Sequence, residues 1–194
     1  MSTPSSTVST TTEAVNSAST ANVVVAAMTL IVFWSRSGST KILAQKLAAS
    51  IPNSELLEIK SVEDFSGIWG SLMIAKHWFY SDGSKLSEES SKAIEGFETK
   101  FTSVWIGTPI FMGSVSPPMR TWLTQHKAQL VDEQGKPKVR LGLFASMGGS
   151  GDAATFAEMR RRLNVTDTAI IQTLAVNEKQ LASFDGSTAP KLEL

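Results

Sequence analysis

Hydroxyl side chains cluster where the first apolar segment of the chain ends. Leu30 to Phe33 predicts a buried strand, and a turn follows it that is formed by Ser35, Arg36, Ser37, Gly38, Ser39 and Thr40. Leu43, Leu47 and Ile51 then recur at helical spacing, so the turn lies at a helix N-terminus. Free backbone N–H groups, the positive end of the helix dipole and the hydroxyls can all donate to an anion. The pattern predicts a phosphate-binding turn, and the alternative is an ordinary strand-to-helix turn.

Two well-known phosphate loops also place glycines between a strand and a helix, and neither matches this first loop. A nucleoside-triphosphate loop ends in Gly-Lys-Ser/Thr, whereas Lys41 here follows Thr40 and Gly38 is the single glycine. A dinucleotide loop needs three spaced glycines for a pyrophosphate. Hydroxyl donors without an obligatory cation instead suit a phosphate monoester.

Two later strands end in loops of similar composition. Val104 to Gly107 predicts a buried strand that leads into a second loop, formed by Thr108, Pro109, Ile110, Phe111, Met112, Gly113 and Ser114. Ser116 before two prolines then signals a helix start. Val139 to Ala145 predicts a further strand, and a helix beginning near Asp152 comes after a third loop, formed by Ser146, Met147, Gly148, Gly149, Ser150 and Gly151. Loops that follow parallel strands share one sheet edge, where ligands bind.

The order and spacing of the three loops resemble those of the flavodoxin-like family, over roughly residues 28 to 176. The first loop resembles the family's FMN-phosphate loop, and the other two resemble its flavin loops. This resemblance implies an α/β fold, a three-layer sandwich around a five-stranded parallel sheet of order 2-1-3-4-5. It also implies non-covalent FMN, with the phosphate on residues 35–40, the ring between residues 109–113 and 147–149, and backbone N–H groups of these loops on the ring's pyrimidine edge and N5.

The resemblance further implies redox chemistry that belongs to the flavin, so no side chain is assigned as a catalytic acid or base. We expect an oxidoreductase that passes electrons from NAD(P)H to a quinone or a similar small acceptor. The alternatives are a one-electron carrier that takes electrons from a redox protein, and a flavin-free interaction scaffold.

Composition limits the partners and cofactors. A chain of 194 residues supports one domain with a sizeable core. Its 18 basic and 18 acidic residues give a net charge of zero, which counts against nucleic-acid binding and weakens the case for an acidic electron shuttle. The chain has no cysteine, which excludes disulfides, thiol catalysis and iron–sulfur clusters, and we expect no metal site.

The two ends of the chain differ from its middle. Residues 1–27 are rich in Ser, Thr and Ala and predict a disordered tail before the domain at 28–194, although residues 23–27 could lengthen the first strand. There is no signal-peptide pattern and no apolar run of membrane length, so we expect a cytoplasmic protein. After the fifth strand, at 169–176, only residues 178–184 look helical. A homodimer partner or the insertion described next could therefore cover one face of the sheet.

Residues 60–101 form this insertion, between a second strand at 55–59 and the third strand. One of its aromatic side chains could cover the flavin ring, the candidates being Trp69, Trp78, Phe79 and Tyr80. The interpretation that we favour is core packing, because helical spacing is shared by Ile68, Leu72, Ala75 and Phe79. A solvated helix face is predicted from Glu88, Glu89, Glu95 and Glu98.

Three further features are assigned structural roles. His126 shares a helical face with apolar residues and predicts a packed histidine. His77 shows no carboxylate partner in the sequence around it. Residues 160–162 are three arginines that could hold the 2′-phosphate of NADPH, but a solvated helix end favoured by the dipole explains them better.

Overall fold

Five parallel strands form one sheet in the order β2-β1-β3-β4-β5. The computed structural model describes residues 28–185, so the predicted tail and the last nine residues lie outside the described part. The strands are β1 (Met28–Phe33), β2 (Ser54–Glu58), β3 (Phe101–Pro109), β4 (Arg140–Met147) and β5 (Ile170–Asn177). Because β1 lies between β2 and β3, the winding of the sheet reverses there, and ligands bind at such a point. The predicted fold class and strand order are confirmed.

Helices cover both faces of the sheet. They are α1 (Ser39–Ser50), α2 (Gly67–Tyr80), α3 (Glu88–Ser91), α4 (Phe97–Lys100), α5 (Pro117–Leu130) and α6 (Asp152–Leu163). Successive strand residues point to opposite faces, so Ile31 and Phe33 pack under α1 while Leu30 and Val32 share a core with α2, α5 and α6. No helix within residues 28–185 is both long and apolar enough to cross a membrane.

Two of the central strands extend further than the sequence predicts. Parallel pairing continues through Thr108 opposite Ala145 and Pro109 opposite Ser146, and β4 ends only at Met147. The ladder tolerates Pro109 because it is the last residue of β3. The first two residues assigned to the second loop, and the first two assigned to the third, are therefore strand residues.

Residues 178–183 form consecutive turns, and the helix that the sequence predicts over 178–184 does not form. Leu181 is buried with Val176 on the α1 side of the sheet. Lys46 on α1 holds this segment, because its Nζ donates to the carbonyl oxygen of Leu181 at 2.9 Å. The insertion packs on the opposite face. Within the described residues, the turns therefore supply the cover that we expected from the insertion or from a dimer partner.

The orientation of α2 contradicts the predicted packing. Its buried residues are Gly70, Ile74 and His77. The residues expected in the core are exposed instead, with Ile68 at 81%, Leu72 at 56% and Phe79 at 74%, and Ala75 is also exposed. The helix is apolar around most of its circumference, so periodicity alone selected the wrong face. The inward face is set by Gly70, where a Cβ would lie 2.0 Å from the backbone of Phe65.

Candidate functional site

The first loop folds as a tight turn at the start of α1, as predicted. Gly38 precedes the helix with a φ of 96°, in the left-handed region that favours glycine. The Gly38 amide donates to Ser35 Oγ at 3.1 Å and closes the turn. The first intrahelical bond runs from Ile42 N to Gly38 O at 2.9 Å, so three backbone N–H groups precede it, those of Ser39, Thr40 and Lys41. These groups can bind an anion.

The hydroxyls of the first loop have different surroundings. Ser37 is exposed, and its Oγ lies 3.3 Å from Ser39 Oγ. Thr40 is only 1% exposed, and its Oγ1 lies 2.8 Å from the Oγ of buried Ser146. Thr40 therefore connects the first loop to the end of β4, in addition to lining the turn.

The two cations of the first loop are engaged away from its free N–H groups. Arg36 Nε donates to Phe65 O at 2.7 Å, and its Nη2 donates to Gly67 O at 2.8 Å. Its guanidinium also lies 5.7 Å from the ring centre of Phe111 in the second loop. Lys41 pairs with Glu58 at 2.7 Å. An anion in this turn would thus be held by neutral donors.

The tip of the second loop is a tight hairpin turn. Phe111 and Ser114 exchange backbone hydrogen bonds at 3.3 and 3.0 Å. Met112 and Gly113, between them, have φ values of 51° and 72°, which is the pattern of a type I′ turn. A methionine rarely adopts this conformation, and Met112 is 69% exposed. Strained backbone of this kind clusters at binding sites.

Thr108 and Pro109 are buried and lie below this tip. The hydroxyl oxygen of Thr108 accepts a hydrogen bond from Ser116 N at 3.1 Å and lies 3.0 Å from Ser116 Oγ. Ser116 precedes α5, so this pairing closes the base of the second loop. The Thr108 hydroxyl is therefore buried beneath the loop, where it pairs with Ser116.

Contacts join the three loops into one edge. Ile110 N donates to Ser146 O at 2.9 Å, which ties the second loop to the third. Gly151 has a φ of 111°, and a Cβ on it would lie 2.7 Å from the Cα of Gly113. Gly148 and Gly149 are different, because added Cβ atoms there would have no atom within 4 Å. The predicted convergence of the loops is therefore present, with open space beside the third loop.

Replacing Gly151 with alanine is expected to lower the free energy of unfolding by about 1–3 kcal/mol, since a Cβ strains the left-handed backbone and collides with the second loop. The matched control is Gly148→Ala, which has open space and an ordinary φ. It is expected to stay within about 0.5 kcal/mol of the unsubstituted protein in chemical denaturation. Equal stability of the two variants would show that the loops are not in contact.

A buried ion cluster supports the second loop from below, and the sequence analysis missed it. Glu158 Oε2 accepts a hydrogen bond from Val115 N at 3.0 Å, and its Oε1 lies 2.9 Å from Arg120 Nε and 2.8 Å from Arg162 Nε. Burial raises the pKa of the Glu158 carboxyl, but the Val115 N–H and the two arginines outweigh this effect and hold the pKa below its ordinary value. The sequence did contain a signal for this cluster, because Glu158 lies beside apolar Met159 and four residues before Arg162, the spacing of an ion pair on one helix face.

His77 has two carboxylate partners, so the expectation that it had none is wrong. Its Nδ1 lies 2.6 Å from Asp82 Oδ1 and its Nε2 lies 3.0 Å from Glu63 Oε2. Glu63 lies in the loop before α2 and Asp82 in the loop after it, and spacing could not show that both reach one buried ring. The arrangement fixes α2 against the domain.

The remaining candidate residues have contacts that point to structural roles. His126 is packed as predicted, with its ring stacked on Trp122 at 4.6 Å. Arg162 is committed to Glu158, and Arg160 Nε lies 3.4 Å from Asp167 Oδ1, so the three arginines are not one solvated patch. The four predicted glutamates are exposed. Within residues 28–185, no cluster of three or more histidine or acidic side chains could hold a metal ion.

Comparison with known proteins identifies the fold. No protein-family model and no curated sequence matches the chain. Among solved structures, it is similar to a flavoprotein from Lactobacillus acidophilus NCFM in complex with FMN, with 21% identity and a TM-score of 0.61 over 81% of this chain and 98% of that one. The apo form of the flavoprotein from that organism has 23% identity and a TM-score of 0.54, covering 77% and 92%. The Trp repressor binding protein from Bacillus subtilis has 12% identity and a TM-score of 0.51, covering 82% and 98%. With its strand order, the chain therefore has the flavodoxin-like fold.

Proposed function

We propose that this protein binds FMN non-covalently where its three loops meet and transfers electrons from NAD(P)H to a quinone or a similar small acceptor in the cytoplasm. One observation carries the proposal. The first loop, whose free donors are neutral, contacts the third loop through Thr40 and Ser146, at the sheet edge where the strand order reverses. The Lactobacillus flavoprotein, which has the same fold, was solved with FMN and supports this cofactor.

The donors of the first loop fit a phosphate monoester. Three backbone N–H groups at the start of α1 and the exposed Ser37 hydroxyl offer hydrogen bonds, and the nearby cations are engaged elsewhere. Hydrogen bonds to a charged phosphate are stronger than those to neutral groups, so this set suffices without an arginine. We therefore propose that the phosphate is bound by Ser35, Ser37, Gly38, Ser39 and Thr40.

The second and third loops fit the flat ring. The missing side chains at Gly148 and Gly149 leave room for a ring to approach the backbone. We propose that the ring lies among Ile110, Phe111, Met112, Gly113, Met147, Gly148 and Gly149. Arg36, Thr108, Pro109 and Ser146 then position the loops through the contacts described above.

These residues would bind and orient the cofactor, and bound FMN would supply the electron-transfer chemistry. Among the insertion aromatics, Trp78 lines one small gap together with Phe111 of the second loop. Trp69 and Tyr80 are 81% and 67% exposed on α2. We therefore propose Trp78 as the aromatic side chain of the insertion that borders the ring.

Replacing Thr40 with alanine is expected to weaken FMN binding by about 1–3 kcal/mol, because it removes a donor and leaves the buried Ser146 hydroxyl without its partner. Thr40→Ser keeps the hydroxyl and is the matched control. Ser37→Ala combined with Thr40→Ala should weaken binding more than either change alone. Titration calorimetry with FMN compares these four variants with the unsubstituted protein, and unchanged affinity in the double variant would place the phosphate elsewhere.

The redox activity is tested by anaerobic addition of NADH or NADPH to the FMN-loaded protein. We expect loss of the visible flavin absorbance within seconds and its return when a quinone is added. If neither nicotinamide bleaches the flavin but a reduced redox protein does, the one-electron carrier is the correct function. If the purified protein does not bind FMN, the scaffold alternative remains.

A further inference from the structure

An apolar stripe runs along the outside of α2 over its whole length. We define this outer stripe as Ile68, Trp69, Leu72, Ala75, Phe79 and Tyr80, which share one side of the helix. Its five large side chains are each more than half exposed. Phe79 and Tyr80 pack edge to face on the surface, with ring centres 5.3 Å apart. The stripe is therefore contiguous, and it is not a set of isolated apolar residues.

The area of the outer stripe is too large for an ordinary monomer surface. Single aromatic side chains can bury 150–250 Å², so its three aromatic and two aliphatic side chains offer on the order of 800 Å². Monomers rarely expose contiguous apolar patches above a few hundred Å². A stable protein interface takes about 800 Å² from each partner. The stripe thus has the area that one side of a dimer needs.

The charges around the stripe favour a protein partner over a lipid surface. Helices that bind membranes in the interfacial plane carry several Lys or Arg residues that attract anionic lipids. Lys76 is the only Lys or Arg in α2. The flanking loops contribute Lys60 and Lys85, and also the acidic residues Glu63, Asp64 and Asp82, so the basic and acidic residues are equal in number. A helix region with no net positive charge has no electrostatic attraction to an anionic bilayer.

The distribution of side-chain size favours a second copy of this chain. Leu72 and Ala75 lie at the middle of the stripe, and the aromatic residues lie at its two ends. In a two-fold dimer the same patch meets itself, and antiparallel helices then oppose the Trp69 end of one copy to the Phe79–Tyr80 end of the other. The small Ala75 near the centre lets the backbones approach, while the aromatic residues pack across the ends.

We propose that the outer stripe is the interface of a homodimer in which α2 packs antiparallel to α2 of a second copy. The inner side of α2 contacts the second loop through the gap lined by Trp78 and Phe111. The dimer interface and the candidate cofactor site therefore lie on opposite sides of one helix. This inference does not depend on FMN binding.

Cross-linking tests the contact directly, because the chain has no cysteine of its own. The full-length Ala75→Cys protein is treated with a short bis-maleimide and compared with Ile42→Cys. Ile42 is 45% exposed on α1, on the opposite face of the sheet. We expect at least about tenfold more covalent dimer from Ala75→Cys, since packed helices lie about 8–10 Å apart. Equal yields from the two variants would overturn the proposal.

Sedimentation equilibrium tests the assembly without a cross-linker. The unsubstituted chain should be a dimer, Leu72→Glu should raise the dimer dissociation constant by at least about 100-fold, and Ile42→Glu should not. Circular dichroism and thermal melting check that Leu72→Glu is folded, and Phe79→Ser is a second stripe variant. A monomer at ~100 µM, or binding to phosphatidylcholine vesicles that Leu72→Glu abolishes, would overturn the dimer.

Discussion

Replacing Glu158 with alanine is expected to lower the free energy of unfolding by about 3–5 kcal/mol, the usual cost of leaving one buried charge without its partner. Arg120 is 3% exposed, and its Nη1 is already bonded to the carbonyl oxygen of His77 at 2.9 Å. Without Glu158, this guanidinium stays buried without a carboxylate, and Val115 N loses its acceptor. Urea denaturation measures the change.

Two controls distinguish a lost ion pair from a general loss of packing. Glu178→Ala removes an exposed carboxylate and should change stability by less than about 0.5 kcal/mol. The double variant Arg120→Met with Glu158→Leu removes the two most buried charges of the cluster and leaves Arg162, which is partly exposed. It should recover part of the lost stability, since apolar pairs can replace buried ion pairs. A double variant that is less stable than Glu158→Ala would contradict this account.

The same carboxylate should contribute to acid sensitivity. Its folded-state pKa lies below the ordinary value of 4.5, so its contribution to stability is present above that pH and is lost as the pH falls through the folded-state pKa. Below about pH 4.5, the stability of the unsubstituted protein should therefore fall more steeply than that of Glu158→Gln.

A second large effect is expected in cofactor binding, where FMN should bind at least about 100-fold more tightly than riboflavin. The two ligands differ in the phosphate, and each hydrogen bond to a charged group contributes roughly 1.5–3 kcal/mol. Several N–H and hydroxyl donors of the first loop would bind that phosphate. Fluorescence quenching titrations of both ligands measure the ratio.

The ring contacts should be the same for both ligands, which gives an internal control. Gly148→Ala, whose added Cβ occupies the open space beside the third loop, should weaken FMN and riboflavin by the same factor. Ser37→Ala should weaken FMN alone. Equal affinity of the unsubstituted protein for FMN and riboflavin would refute the assignment of the first loop to a phosphate.

The sequence by itself determined the five strands, the helices α1, α2, α5 and α6, and the order of these elements. Strands and helices follow from local periodicity, and the starts of α1, α5 and α6 follow from Gly38, from Ser116 with its two prolines, and from Gly151. These signals act within a few residues of one another, so they can be read without the fold. Parallel strands then bring the three loops to one edge, as expected.

Tertiary structure alone decided which groups meet. Arg36 bonds to the start of α2 and not to the free N–H groups of the first loop, and His77 has carboxylate partners at both of its ring nitrogens. The partners of Arg36 lie 29 to 35 residues away, at separations that no local pattern encodes. The exposed face of α2 has the same cause. An apolar helix can turn either side inward, and one side is selected by the close contact of Gly70 with Phe65 and by the hydrogen bonds of His77 to Glu63 and Asp82.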